Sequence, residues 1–129
     1  MLPMVLVVED EPLLMIDVEH ILENAGFLSV TADGTTGRNE IENDCSRFSA
    51  LLTDIDLGSK VSGWDLARRA RELCPGLPVV YMSGGSSQDW QAYGVPQSVM
   101  LAKPFAPAQL VTALATLINA AVPRIQMPE

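Results

Sequence analysis

Five side chains at four places in this chain could do chemistry together: the carboxylates of Glu9, Asp10 and Asp54, the hydroxyl of Ser83 and the ammonium of Lys103. Three carboxylates brought to one point repel one another, and a hard divalent cation relieves the repulsion. Mg2+ takes an octahedron of oxygens and usually keeps several waters beside one or two carboxylates. A phosphoryl oxygen would complete such a shell. Lys103 could pair with a second phosphoryl oxygen as a point charge, and the Ser83 hydroxyl could donate to a third. Asp54 would then be the nucleophile, forming an acyl phosphate. Phosphoryl transfer asks a protein mainly for position and charge neutralisation, and this set offers both.

The elements that must position these groups are legible as an alternation. Met4 to Val8 is a short continuous apolar run, the mark of a strand buried on both faces. Pro12 stands where a helix can begin, Leu14, Val18, Ile21, Leu22 and Ala25 follow at helical spacing, and Gly26 ends the pattern. Phe27 to Thr31 reads as a second strand, and Asp33-Gly34 as a turn. Residues 35 to 46 are polar and weakly helical, with Ile41 nearly alone as an apolar anchor.

Further strands are expected at Ala50 to Thr53, Leu77 to Met82 and Ser98 to Ala102. Helices are expected at Gly63 to Leu73, over 87 to 93, and in a last stretch striped by Leu110, Ala113, Leu114, Leu117, Ile118 and Ala121. Five strands alternating with about five helices mean βαβ units and a parallel sheet, an α/β domain. In such sheets, active groups gather beyond the carboxyl ends of the strands. Glu9 and Asp10 follow the first strand, Asp54 the third, Ser83 the fourth and Lys103 the fifth, so the rule predicts one shared site.

Composition narrows the partners. At 129 residues the chain suits one domain, and 48% hydrophobic content rules out general disorder. Sixteen acids against eight bases give a formal charge of −8. That argues against nucleic acid or an anionic membrane surface as the main partner and leaves a divalent cation open. No apolar run reaches the roughly 18 residues needed to cross a bilayer. Met1 to Val8 lacks the basic flank of a signal peptide. Cys45 and Cys74 sit in no CxxC or metal-ligand spacing and read as reduced thiols of a cytoplasmic protein.

Taken in order, Leu6-Val7-Val8-Glu9-Asp10-Glu11, Leu51-Leu52-Thr53-Asp54, Val79-Val80-Tyr81-Met82-Ser83-Gly84 and Lys103-Pro104-Phe105 resemble the receiver domain of bacterial two-component response regulators, the CheY-like superfamily. The resemblance spans about residues 3 to 121, so residues 1–122 are expected to be the receiver and 123–129 a short tail. It implies a doubly wound five-stranded parallel sheet of order 2-1-3-4-5. Residue by residue, it implies Asp54 as phosphoacceptor, Asp10 as direct Mg2+ ligand and Glu9 as its neighbour acting largely through water. The backbone carbonyl of Asp56 is implied as a further ligand, Ser83 as the switch hydroxyl and Lys103 as the cation paired with the phosphoryl group. Lys103-Pro104 resembles the family's cis-peptide junction. A histidine kinase or phosphotransfer protein is implied as donor and a downstream protein as the target, with no DNA-binding output segment in this chain and no catalysis beyond its own phosphorylation and slow dephosphorylation.

Four positions depart from the usual pattern. Glu9 replaces the commoner Asp and Ser83 the commoner Thr, both keeping the chemistry. The loop Leu57 to Gly63 is longer and lacks a Met-Pro pair, and Met100 stands where an aromatic switch is frequent. Two other functions compete. A haloacid dehalogenase-like phosphatase would use Asp54-Ile55-Asp56 as its signature, but its other acids belong downstream and a cap domain does not fit. A pseudo-receiver would bind partners without phosphorylation, against which the intact acid, Ser and Lys set argues. His20 is expected on a solvated helix face. Arg68, Arg69 and Arg71 are expected likewise, and Trp64, Trp90 and Tyr93 are expected to pack rather than bind.

Overall fold

The computed structural model describes residues 2–58, 61–85 and 89–121. Strands β1 (Met4–Val8), β2 (Leu28–Ala32), β3 (Ala50–Asp54), β4 (Val79–Ser83) and β5 (Ser98–Ala102) alternate with helices α1 (Pro12–Asn24), α2 (Gly34–Asp44), α3 (Gly63–Leu73), α4 (Trp90–Tyr93) and α5 (Pro107–Ala121). The strands pair in parallel in the order β2-β1-β3-β4-β5, as the sequence resemblance implied. The expected tail, 123–129, lies outside the described residues.

The alternation of side chains across the sheet divides the core in two. Val5, Val7, Leu52, Val80 and Met82 face α1 and α5, where they meet Val18, Leu22, Leu110 and Leu114. Leu6, Val8, Leu51, Val79 and Tyr81 face the other layer, with Ile41, Leu66, Ala67 and Ala70 of α2 and α3. Both faces are covered, which is why β1, β3 and β4 read as apolar runs rather than alternating ones.

Three strand boundaries differ usefully from the sequence expectation. The fourth strand starts later and ends on Ser83, and the third includes Asp54. Both functional residues are therefore held by the sheet ladder and not by loops. The weak helix at 35–46 forms over Gly34–Asp44 because its start is well capped. The Asp33 side chain accepts from Thr36 N–H at 2.8 Å, and the Thr36 hydroxyl accepts in return from Asp33 N–H at 2.9 Å. Gly37 lets this polar helix lie close on the sheet: a Cβ there would come within 2.8 Å of Val8 Cγ2.

The expectation of reduced thiols is corrected. Cys45 and Cys74 are joined, with Sγ–Sγ 2.15 Å and Cα–Cα 6.5 Å. Cys45 opens the 3-10 turn after α2 and Cys74 caps the end of α3. Neighbouring helices on one face bring them together, which spacing along the chain does not reveal. The same two helices are also tied by charge. Arg69 grips Glu42 through Nε–Oε2 at 2.5 Å and Nη2–Oε1 at 3.0 Å, and this holds the Glu42 carboxyl down at about 2. The bridge closes a loop of 29 residues in sequence, so its reduction should lower stability by about 2–4 kcal/mol. Denaturant melts with and without a thiol reductant, beside Cys45→Ser, measure this; equal midpoints would show that the bridge contributes nothing.

Arg71 departs from the expected solvated face. Its guanidinium is partly buried and donates to three backbone carbonyls, Leu77 at 2.6 Å, Pro96 at 2.6 Å and Gln97 at 3.3 Å. It thus ties the end of α3 to the turn before β5. His20 is exposed as expected. Trp64 packs on Tyr81 with ring centroids 4.7 Å apart, and Met100 packs against the same layer.

Candidate functional site

Between β1 and β3 the strand order reverses, and open α/β sheets leave a crevice beyond the carboxyl ends at such a point. The register decides which side chains meet there. Val8 pairs with Thr53, so Glu9 and Asp54 emerge at the same level. Asp54 pairs with Met82, and Ser83 pairs with Ala102. Lys103 N–H then donates to the Ser83 carbonyl at 2.8 Å, carrying the lysine to the next level. The Lys103–Pro104 peptide bond is cis.

The predicted residues are brought together. Lys103 Nζ lies 2.8 Å from Asp54 Oδ2 and 3.3 Å from Glu9 Oε1. Glu9 is fully buried and Asp54 nearly so, while Asp10 is exposed. One oxygen from each of Glu9, Asp10 and Asp54 lies within 4.8 Å of the others. Three hard oxygen donors at this spacing fit a divalent cation. Asp54 Oδ1 accepts from Asp56 N–H at 3.2 Å, so the Asp56 backbone borders the site while its side chain is exposed. Ser83 is buried and its Oγ accepts from Gly85 N–H at 3.2 Å.

Burial dominates the electrostatics of Glu9. It raises the carboxyl from 4.5 to about 7; the Glu11 N–H opposes this, the Asp54 charge adds to it, and Lys103 opposes it. Glu9 Oε2 accepts from the N–H groups of both Asp10 and Glu11 at 3.1 Å. One oxygen is therefore turned back to the chain and the other toward Lys103. For Lys103, burial pulls the ammonium down, but Asp54 and then Glu9 outweigh it and hold the group above its usual value.

Two glycines shape the site; in the sequence Gly58 reads as a loop residue and Gly63 as the junction of that loop with the helix that follows. Gly63 N–H donates to the Ile55 carbonyl at 2.9 Å, and a Cβ on Gly63 would collide with the Asp54 carbonyl oxygen and come within 2.8 Å of Ile55 Cα. Gly58 adopts φ +63° beside the Asp10 carboxylate. The only sequence signal for either was a glycine closely following the acid-bearing strand.

A family model described as "Response regulator receiver domain" matches residues 5–115. Among curated proteins, a response regulator receiver protein from Anaeromyxobacter sp. (strain Fw109-5) is 32% identical over 110 residues, covering 85% of this chain and 43% of that protein. The phyllosphere-induced regulator PhyR of Methylorubrum extorquens is 27% identical over 107 residues, 82% of this chain and 40% of PhyR. The chain spans less than half the length of these relatives.

Among solved structures, a response regulator receiver protein from Sinorhizobium medicae WSM419 is 37% identical with a TM-score of 0.89, covering 94% of this chain and 98% of that one. The receiver domain of the sensor histidine kinase PA1611 from Pseudomonas aeruginosa PAO1 was solved with magnesium coordinated in its active-site cleft. It is 25% identical with a TM-score of 0.78, covering 92% and 99%. The haloacid dehalogenase reading of Asp54-Ile55-Asp56 falls with these matches. From the register that assembles the acids to the match over residues 5–115, the observations agree that the chain belongs to the response regulator receiver domain family.

Proposed function

We propose that this receiver accepts a phosphoryl group on Asp54 from a phosphohistidine of a histidine kinase or phosphotransfer protein. The observation that carries the reading is the Lys103 ammonium set 2.8 Å from the Asp54 carboxylate, beside two further acids. Asp10, Asp54 and the Asp56 carbonyl would hold Mg2+, with Glu9 acting through water. When bound, that ion neutralises charge on the transferring phosphoryl group. The acyl phosphate forms as the P–N bond to histidine breaks and a P–O bond to the Asp54 carboxylate forms.

Each of the chain's own groups then has a task. The sheet ladder fixes Asp54 for in-line attack. Lys103 leaves its pairing with the carboxylate for a phosphoryl oxygen, and Ser83 turns its hydroxyl toward the same group. The new charge biases the surface around α4, β5 and α5, which a downstream protein reads. The donor approaches over a groove of about 710 Å3 between α1 and the β5–α5 junction, floored by Leu14, Ile21 and Phe105 and opening at Lys103. Residues 1–122 act as the receiver, and catalysis is confined to the chain's own phosphorylation and slow dephosphorylation. Net negative charge keeps nucleic acid out of the partner set, and no helix among the described residues is long and apolar enough to cross a membrane. The proposed donor places the chain in the cytoplasm, where the Cys45–Cys74 bridge forms only under oxidising conditions.

Incubation with acetyl phosphate and Mg2+, read by intact mass, tests the reading. One added phosphoryl group, absent with a chelator, is the expected result. A folded chain that takes up no phosphate from acetyl phosphate or from a panel of phosphorylated histidine donors would overturn it in favour of a phosphorylation-independent binding module.

A further inference from the structure

Gly58 is the fourth residue after Asp54 and follows β3 by one turn of loop. Its φ of +63° lies in the left-handed region, where a side chain is strained. Space around it is also restricted. A Cβ on Gly58 would stand 2.7 Å from Asp10 Oδ2, closer than real Cβ atoms come to a neighbour. Asp10 is the exposed member of the acid set and is anchored by its backbone position after β1. Its carboxylate therefore occupies the space that a Cβ on Gly58 would take.

We infer that Gly58 is a positioning residue for the Asp10 carboxylate, and that its missing side chain holds Asp10 in reach of Glu9 and Asp54. The inference rests on the proposed metal site and deepens it. Asp10 supplies one of the three oxygens that lie within 4.8 Å of one another. An L side chain at 58 displaces the Asp10 carboxylate or lifts the loop, and either change shifts one oxygen donor of the set. The residue thereby controls metal affinity without touching the metal.

Gly26 supplies an internal control. It too has positive φ, +88°, but nothing lies within 4 Å of its Cβ position. Gly26→Ala carries the backbone cost without the contact. Gly58→Asn relieves backbone strain, since Asn tolerates the left-handed region, but keeps the contact. The experiment is a calorimetric Mg2+ titration of the full chain and these variants, with melting temperatures in chelator for Gly58→Ala, Asp10→Ala and the double variant.

Gly58→Ala and Gly58→Asn should both bind Mg2+ roughly 10- to 100-fold more weakly, the scale of losing a residue that orients a ligand. Gly26→Ala should bind as the unaltered chain does. In chelator, Asp10→Ala should recover part of the melting-temperature loss of Gly58→Ala, a coupling that independent sites do not show. Unchanged affinity in Gly58→Ala, restoration by Asn, or strict additivity with Asp10→Ala would overturn the inference while leaving the metal site standing. An unaltered chain without Mg2+ affinity would overturn the metal reading and the inference together.

Discussion

Asp54→Asn should abolish phosphoryl uptake. In the acetyl phosphate experiment the variant should keep its unmodified mass where the unaltered chain gains one phosphoryl group, a loss of at least about a hundredfold, as expected when a covalent nucleophile is removed. The change is nearly isosteric, so the site should stay assembled. Asp54 Oδ1 accepts from Asp56 N–H and the amide oxygen can do the same. Lys103 keeps Glu9 as an ionic partner. The variant gives up the Lys103–Asp54 ion pair, so its melting temperature should fall by no more than that of Lys103→Met, and a folded chain that keeps its unmodified mass separates loss of chemistry from loss of fold. Phosphate appearing on another residue of the variant would overturn the assignment of Asp54.

Lys103→Met should give the largest pH-dependent loss of stability. The ammonium separates two buried carboxylates, and methionine fills similar space without charge. At neutral pH and above the variant should lose about 2 kcal/mol, the scale of hydrogen bonds to charged groups. The sign follows from Glu9. Its folded value, about 7, lies above its ordinary 4.5, so the folded chain binds the proton more tightly than the unfolded chain. In metal-free protein, the Glu9 contribution to stability is full below 4.5 and is lost as pH rises through about 7. Lys103 opposes the rise in Glu9, so removing it extends the falling stretch to higher pH. Urea melts of both proteins in chelator should differ least near about pH 5, where Glu9 binds its proton and only the Asp54 pairing is lost, and diverge further above neutrality. A constant offset across that range would exclude Glu9 as the group responsible.

Much of the site was legible because strand ends are. Short apolar runs marked β1, β3 and β4, and an acid, an acid and a hydroxyl at their carboxyl ends needed only the parallel topology to bring them together. Lys103 followed β5 by the same reasoning. The rest depended on which helices are neighbours. The Cys45–Cys74 bridge joins residues whose spacing carries no signal, and it forms because α2 and α3 share a face. Helix α2 was faint in the sequence because its stability comes from the Asp33–Thr36 cap and the close seat of Gly37 on Val8, not from an apolar stripe. Arg71 looked like one more charge on a polar face until the carbonyls of Pro96 and Gln97 arrived from across the chain. Gly58 and Gly63 were visible as glycines, but only three dimensions show what their missing side chains make room for.

The covalent and ionic ties between α2 and α3 have a mechanical consequence. One flank of the sheet is cross-braced by a disulfide, a bidentate Arg69–Glu42 pair and the capping of both helices. Further along the same face, beside β4 and β5, lies a helix of a single turn, Trp90–Tyr93, seated by the Trp90 indole N–H on the Ser98 hydroxyl at 2.8 Å and tied to α3 by Arg68, which donates to the Tyr93 carbonyl at 3.2 Å. The layer is thus joined covalently between α2 and α3 and by noncovalent contacts between α3 and α4. A displacement of α4 therefore breaks only noncovalent contacts, while α2 and α3 on the same face stay joined by their disulfide.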